Sequence, residues 1–445
     1  MSESLQFPAS FVWGVSTSAH QFEGGLDDNS WGAWERRGKI KTGDRSGRAC
    51  DWWHNAERDF DLARSLGLGA LRLSVEWSRV EPREGEWDER ALARYREMLL
   101  ALRERGIQPW VCLHHFTNPL WLEARGGFEN PDAVGLFERF ARRVGTALGD
   151  LCTHWVTFNE PNVYAVQGWL FGEFPPGRTG DLRAVARVMR HLGLAHARAY
   201  GALHEVVPAA QVGFTQNCFA FAPVNPRSPL DRALAALNES LFVDAFLDAA
   251  ATGHVPAIAR PFAPSPRDLQ GTMDFVGLNI YGRLYFAFDP LAPRTLFGRR
   301  SVPASVPQGD RGAESPYGEC WPGSVSRFVR RFARYGLPVW VLENGVPDRE
   351  DHIRPWMIAH VARELHGLLR DGVDVRGYFH WSLVDNFEWA EGWGLRFGLC
   401  AMDPVTQSRS LRASGRLYGA IATHHALRPE DVAMFAPAAY AEIFG

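Results

Sequence analysis

The feature that most limits what this chain can fold into is an eightfold alternation of short, β-rich apolar runs with longer segments of helical period. The runs occupy residues 11–14, 70–75, 108–113, 154–159, 212–216, 275–279, 338–343 and 377–381. Between them, residues 88–105 show the helical pattern most clearly. Leu92, Tyr95, Leu99 and Leu102 form one stripe there, and Arg and Glu fill the opposite face. Helices are also predicted over 132–148, 182–206, 231–251, 324–335 and 353–369, with Gly106 and Gly336 as C-terminal stops. A length of 445 residues would ordinarily suggest two or three domains. Here the alternation runs from end to end without a change of composition. The pattern therefore predicts one (β/α)8 TIM barrel with long βα loops, spanning 1–445 as a single domain. A doubly wound α/β sheet is the alternative, but no Gly-rich nucleotide loop follows the first run. Residues 286–318, rich in Pro, Arg and Gly, are too long for an ordinary connection and read as a lid, an interface or a disordered loop.

In such a barrel the polar residues that close the strands build the active site. His20 and Gln21 follow the first run, Arg72 lies in the second, His114 and His115 follow the third, and Asn159 and Glu160 the fourth. Asn279 and Tyr281 belong to the sixth, Glu343 to the seventh, and Trp381, Glu388 and Trp389 to the eighth. Two acids stand out, Glu160 in Thr157-Phe158-Asn159-Glu160-Pro161 and Glu343 in Leu342-Glu343-Asn344-Gly345. Each ends an apolar run, so each sits at the rim of a core. A pair of carboxyls meeting at one site is what retaining glycoside hydrolysis requires. Period-two alternation places Glu343 on the face of Val339 and Val341, taken as the barrel interior. Arg72 is its natural partner there, lowering its pKa and favouring the ionised nucleophile, and Tyr281 could add a hydrogen bond. The plain alternative is a structural ion pair beside an Asn-Gly turn. Glu160 is expected among Trp and Phe without a cationic neighbour, so that desolvation and the other carboxylate keep it protonated. Pro161 should bias Glu160 away from the α region. Otherwise Glu160 is a solvated loop acid.

Composition narrows the partners. A formal net charge of −3 gives no reason to expect nucleic acid or an anionic membrane. Seventeen Trp and 28 Phe exceed the needs of a core, and many of the Trp lie beside turn residues, as the wall of a pocket would. Trp381 and Trp389 could equally be packing residues, yet a flat apolar face beside Glu388 suits a sugar ring. The histidine pair has no zinc-like spacing, so one His should be core and the other a pocket donor. The Arg-rich stretch 294–311 reads as a solvated loop. Six scattered cysteines read as buried reduced thiols. The N-terminus has no signal-like h-region and no run is long enough to span a bilayer, which predicts a cytoplasmic protein.

With these residues assembled, the chain resembles the family 1 glycoside hydrolases of the β-glucosidase type over nearly its whole length. The markers, in order, are Phe7-Pro8-x-x-Phe11-x-Trp13-Gly14, the run from Arg72 to Arg79, the Thr157 to Pro161 run, Gly172-x-x-Pro175-Pro176-Gly177, Leu342-Glu343-Asn344-Gly345, and the run from Phe379 to Gly392. The resemblance implies Glu160 as acid/base and Glu343 as nucleophile. Arg72, Asn279 and Tyr281 would hold and tune that nucleophile. Gln21, His115, Asn159, Glu388 and Trp389 would bind the non-reducing sugar, with Trp381 as its stacking platform. It further implies no cofactor and no metal, and a small β-glycoside or short oligosaccharide as ligand.

The same resemblance sorts substrates. Members acting on 6-phosphorylated sugars have a small residue at the Glu388 position and a Lys near Leu395. This chain has a carboxyl and a leucine, which favours neutral sugars. Thioglucosidase-like members lack the acid at the Glu160 position. Two departures from the family pattern concern the pocket, the first replacing a pocket Trp by Phe and the second lying near the leaving-group site. The usual His-Trp-Asp-Leu-Pro is His115-Phe116-Thr117-Asn118-Pro119 here, and the expected Gly-Trp pair is replaced by Gly318-Glu319-Cys320-Trp321-Pro322, where Trp321 could serve from a displaced position. A 6-phospho-β-glycosidase, or a catalytically silent sugar-binding protein on the same barrel, are the competing readings.

Overall fold

The computed structural model describes residues 3–255, 257, 260–261, 266–292, 295–306 and 315–445. Eight parallel strands close into a barrel: β1 (Val12–Ser16), β2 (Ala70–Ser74), β3 (Gln108–His114), β4 (His154–Asn159), β5 (Gln211–Pro223), β6 (Val276–Phe288), β7 (Val339–Asn344) and β8 (Val375–His380). Each pairs in parallel with the next, and β8 returns to β1 through Gly377 opposite Val12 and His380 opposite Val15. Helices follow each strand outside: α1 (Trp52–Ser65), α2 (Glu89–Glu104), α3 (Asp132–Leu148), α4 (Leu182–Val206), α5 (Pro229–Glu239), α6 (Gly323–Ala333), α7 (Arg354–Arg370) and α8 (Ala413–His424).

All eight predicted strands are present. β5 and β6 run far past their predicted ends and pair with each other out to Pro223 opposite Phe286. Part of the supposed 286–318 loop is thus strand, and a short antiparallel segment, Gly298–Arg300, pairs back onto β6. Residues 293–294 and 307–314 of that stretch lie outside the described residues. The predicted 231–251 helix is interrupted after α5 by a π-helical turn, Ser240–Asp244, before Ala245–Thr252 completes it. Sequence reading missed α1 and α8. After α8 the chain adds two short helices, Pro429–Phe435 and Pro437–Phe444.

The barrel interior is a core of its own, built from Ala70, Trp110, Cys112, Val156, Phe275, Trp340, Leu342 and Phe379. Trp110 plugs its lower end. Its ring stacks on His154 at 4.1 Å and meets Trp340 edge-on at 4.9 Å. Glycines make room for these rings. A Cβ at Gly377 would stand 2.6 Å from the Trp340 ring and 2.7 Å from the Val12 carbonyl, both too close to tolerate. Gly377→Ala is therefore expected to destabilise the fold by about 1–3 kcal/mol through overpacking. A urea melt should show a lower midpoint at an unchanged slope.

This core corrects the predicted facing of β7. Trp340 and Leu342 point inward, whereas Val339 and Val341 pack outward with the helices. Glu343 still reaches the mouth because the pairing slips by one residue between Leu278–Val341 and Asn279–Glu343. Such a bulge re-aims the side chain beyond it. The same device acts in β4, where the pairing with β5 slips between Val156 and Asn159. Val156 lies inside, Thr157 hydrogen-bonds His196 of α4, Phe158 stacks on Phe137 of α3, and Asn159 turns in again. β3 breaks alternation alike: Cys112 faces the interior, Leu113 and His114 the outer core, and His115 the cavity.

Candidate active site

Above the interior core the strand ends open into a cavity of about 560 Å³. Its floor carries both acids. Arg72, wholly buried in β2, gives one guanidinium nitrogen to Glu343 Oε1, and the Tyr281 hydroxyl donates to Glu343 Oε2 at 2.7 Å. Arg72 Nε and Nη1 have no acceptor among the described residues. Glu160 Oε1 instead accepts from two amides, Asn279 Nδ2 at 2.8 Å and Asn217 Nδ2 at 2.9 Å. Asn279 also donates to Asn159 Oδ1 at 3.0 Å and stands opposite Glu343 in the pairing of β6 with β7.

Glu160 avoids the right-handed helical region, as Pro161 leads one to expect, but it does so by turning left-handed rather than extended. Its backbone sits in the left-handed region, at φ 48° and ψ 62°, where a side chain other than glycine is strained. Both of its backbone groups are fixed. Its N–H donates to the Thr215 carbonyl at 2.9 Å, and its carbonyl accepts from Tyr164 N at 3.0 Å, opening the helix Pro161–Val166. The immediate partners of its carboxyl are amides rather than the aromatic rings expected. Asn279 likewise hydrogen-bonds the Glu160 side of the site as well as facing Glu343.

Burial dominates the electrostatics. It pushes Glu160 up to about 8, with the charge of Glu343 as the next cause and the two amides opposing. Burial also raises Glu343, outweighing the pull of Arg72, Tyr281 and Asn279. The sequence expectation that Arg72 lowers Glu343 thus has the sign of the Arg72 contribution right and the balance wrong. The two acids titrate as a coupled pair. Direct contact with a guanidinium marks Glu343 as the one that keeps its charge, leaving Glu160 the proton.

The remaining predicted residues gather on one wall. His115 Nε2 pairs with Asn159 Nδ2 at 3.1 Å, and its ring lies face to face with Trp381 and Trp389 at 6.0 and 5.7 Å. Burial holds His115 well below the usual imidazole range, so it is neutral. Gln21 Nε2 donates to Asn386 Oδ1 and the Phe387 carbonyl at 2.8 Å and reaches Glu388 Oε2 at 3.4 Å. Glu388 is pushed up to about 8, chiefly by burial. Trp389 is held at a positive φ of 49° and backed by His20, whose ring stacks on it at 5.8 Å. His20 is itself fixed by Glu35 and Asn29 at 2.7 and 3.1 Å.

Sequence reading missed two residues at this site. The apolar run of β5 breaks at Gln216 in the sequence, one residue short of Asn217. An Asn inside a strand was the available signal. Tyr317, whose hydroxyl donates to Glu388 Oε1, lies at the end of the stretch read as a loop. Trp321 is not on the cavity wall. Arg283 covers its face at 4.6 Å. Arg300 of the Arg-rich stretch, read as solvated, lines the cavity. His114 is a core residue bonded to Asn118 at 2.9 Å. Among the described residues no group of three or more His, Cys, Asp or Glu side chains could hold a metal ion, and no helix is long and apolar enough to cross a membrane.

A closed parallel barrel whose mouth holds two buried acids of unlike surroundings beneath a wall of indoles is the equipment of a glycoside-cleaving enzyme. Residues 3–427 match the model of glycosyl hydrolase family 1, and the chain belongs to that family. It is 31% identical to β-glucosidase A of Thermotoga maritima, covering 95% of this chain and 99% of that protein. It is also 31% identical to a β-galactosidase of Sulfolobus acidocaldarius, over 96% and 97% of the two chains. Among solved structures, a β-glycosidase from Pyrococcus horikoshii superposes with a TM-score of 0.87 at 34% identity, covering 97% and 98%. The Thermotoga maritima β-glucosidase in complex with glucoimidazole gives 0.86 at 30% identity, over 95% and 99%.

Proposed function

We propose that this enzyme is a retaining exo-β-glycosidase of neutral β-D-glucosides, with β-galactosides and β-fucosides as further substrates, and that residues 1–445 act as one catalytic domain. The observation that carries this reading is the unlike equipment of the two acids: Glu343 on Arg72 and Tyr281, Glu160 on two neutral amides. Glu343 attacks the anomeric carbon while Glu160 protonates the leaving oxygen. Glu160 then deprotonates the water that releases the sugar from Glu343. A retaining mechanism requires the two carboxyl groups about 5–5.5 Å apart, against roughly 6.5–9.5 Å for inversion. Gln21, His115, Asn159, Glu388 and Trp389 would hold the sugar hydroxyls, and Trp381 its apolar face. Relatives named β-glucosidase and β-galactosidase support the breadth of sugars.

Neutral sugar is favoured over a 6-phosphorylated one because Glu388 and the half-buried Leu395 offer a phosphate no cation. With Glu388 raised to about 8, the lack of a cation weighs more than charge repulsion. Lys41 and Arg300, which also line the cavity, are committed elsewhere: Lys41 to Glu173 and Glu391, Arg300 to the carbonyls of Ser315 and Pro316. A panel of nitrophenyl β-glycosides tests the reading. Release of nitrophenol from the glucoside is expected, whereas faster turnover of a 6-phosphoglucoside, or binding without hydrolysis, would replace it.

The pH profile offers a second test. The protonated form of Glu160 is present below its pKa, so kcat/KM is expected to fall as pH rises through about 8. Asn217 stabilises the ionised form, so Asn217→Ala should move that limb to higher pH. A limb that moves downward would contradict the assignment.

A further inference from the structure

The cavity is much larger than one sugar ring needs, and beyond the acids its character changes. Between the helix Pro161–Val166, α4 and the π-helical turn Ser240–Asp244, the wall is formed by Val163, Val166, Val185, Met189, Leu241 and Phe242. The amide nitrogens of the two asparagines in this sector are already engaged. Asn162 Nδ2 donates to the carbonyls of Asn217 and Phe242 at 3.1 and 3.0 Å, and Asn238 Nδ2 to that of Leu234 at 2.9 Å. Gln167 Oε1 has no hydrogen-bond partner among the described residues, and it could take one hydroxyl, fewer than a sugar ring presents. The sector opens to the surface beside Phe171, itself apolar and 44% exposed. A second sugar placed here would surrender its hydration without recovering it, which is costly. A hydrocarbon would gain from the same transfer.

We infer that this sector is the leaving-group site and that it selects β-glycosides of apolar alcohols, alkyl chains in particular, over oligosaccharides. The inference rests on the retaining-hydrolase reading above, because the Glu160 proton must be delivered to an oxygen at the head of this channel. The displaced Trp321 agrees with it: Arg283 covers its face, and it provides no indole on which a second sugar ring could stack in this sector.

The test is kcat/KM for methyl, butyl and octyl β-D-glucosides below micellar concentrations, with cellobiose and cellotriose alongside. The expected result is a rise of roughly two- to fourfold per methylene, from the transfer free energy of a buried CH2. Octyl glucoside should exceed cellobiose by at least tenfold. Leu241→Gln and Leu170→Gln, at half-buried wall positions, should each cut the octyl-to-methyl ratio severalfold. A flat alkyl series with measurable turnover, or cellotriose outrunning octyl glucoside, overturns the inference and leaves the hydrolase standing. No turnover of any glycoside, aryl ones included, overturns both.

Discussion

Glu343→Gln is expected to lower kcat/KM on every glycoside by about 10⁴-fold or more, the scale seen when a covalent nucleophile is removed. The amide keeps the shape and can still accept from Tyr281, so the loss would report chemistry rather than collapse. It does strip Arg72 of its counter-charge. Arg72 is wholly buried with two of its nitrogens unpartnered among the described residues, so the variant should also be destabilised, by about 3–5 kcal/mol. Measuring thermal unfolding beside activity separates the two effects. In Glu343→Gly, azide can occupy the vacated space and attack the anomeric carbon, giving an α-glycosyl azide. Wild-type turnover in Glu343→Gln, or a β-configured azide product, would refute the nucleophile assignment.

Glu160→Ala is expected to be selective in its damage. A general acid matters in proportion to how badly the leaving oxygen needs its proton. Alkyl glucosides should therefore lose about 10²- to 10⁴-fold in kcat/KM. Dinitrophenyl glucoside should lose far less in its first step and instead accumulate glycosyl-enzyme, seen as a burst. The high-pH limb near 8 should disappear with the carboxyl. Because Glu160 is strained in the left-handed region, Glu160→Gly would relieve backbone strain while removing the acid. A Gly variant that is more stable yet equally slow on alkyl glucosides would show both roles at once. Uniform loss across leaving groups would mean that Glu160 is not the acid.

Much of this is legible in the sequence. Alternating β-rich and helical segments gave the barrel because the βα repeat admits few packings, and polar residues closing apolar runs marked the mouth. What escaped has a common cause. The facing of Glu343, the turn at Glu160 and the extent of β5 and β6 all depend on register between strands, which a single strand's own period does not encode. α1 was missed because its apolar positions are interrupted by charged residues, and its helix carries a non-helical kink at Asn55. Asn217 and Tyr317 escaped because each is a lone polar residue in a stretch assigned to something else. The pKa balance at Glu343 needed the depth of burial, which no local motif states.

The one-residue slips in β4 and β7 divide each strand into two independently addressed halves. Below the slip, Val156 and Leu342 answer to packing alone, whereas above it Asn159 and Glu343 answer to the ligand. Mutations on the two sides should therefore combine almost additively, so sugar selectivity and thermal tolerance can be engineered in separate libraries. The exception is chain length. Deleting one residue at the β4 slip would restore simple alternation and leave Asn159 facing inward, but it would remove one of the two outward anchors, Thr157 on His196 or Phe158 on Phe137, so this segment should accept substitutions more readily than deletions.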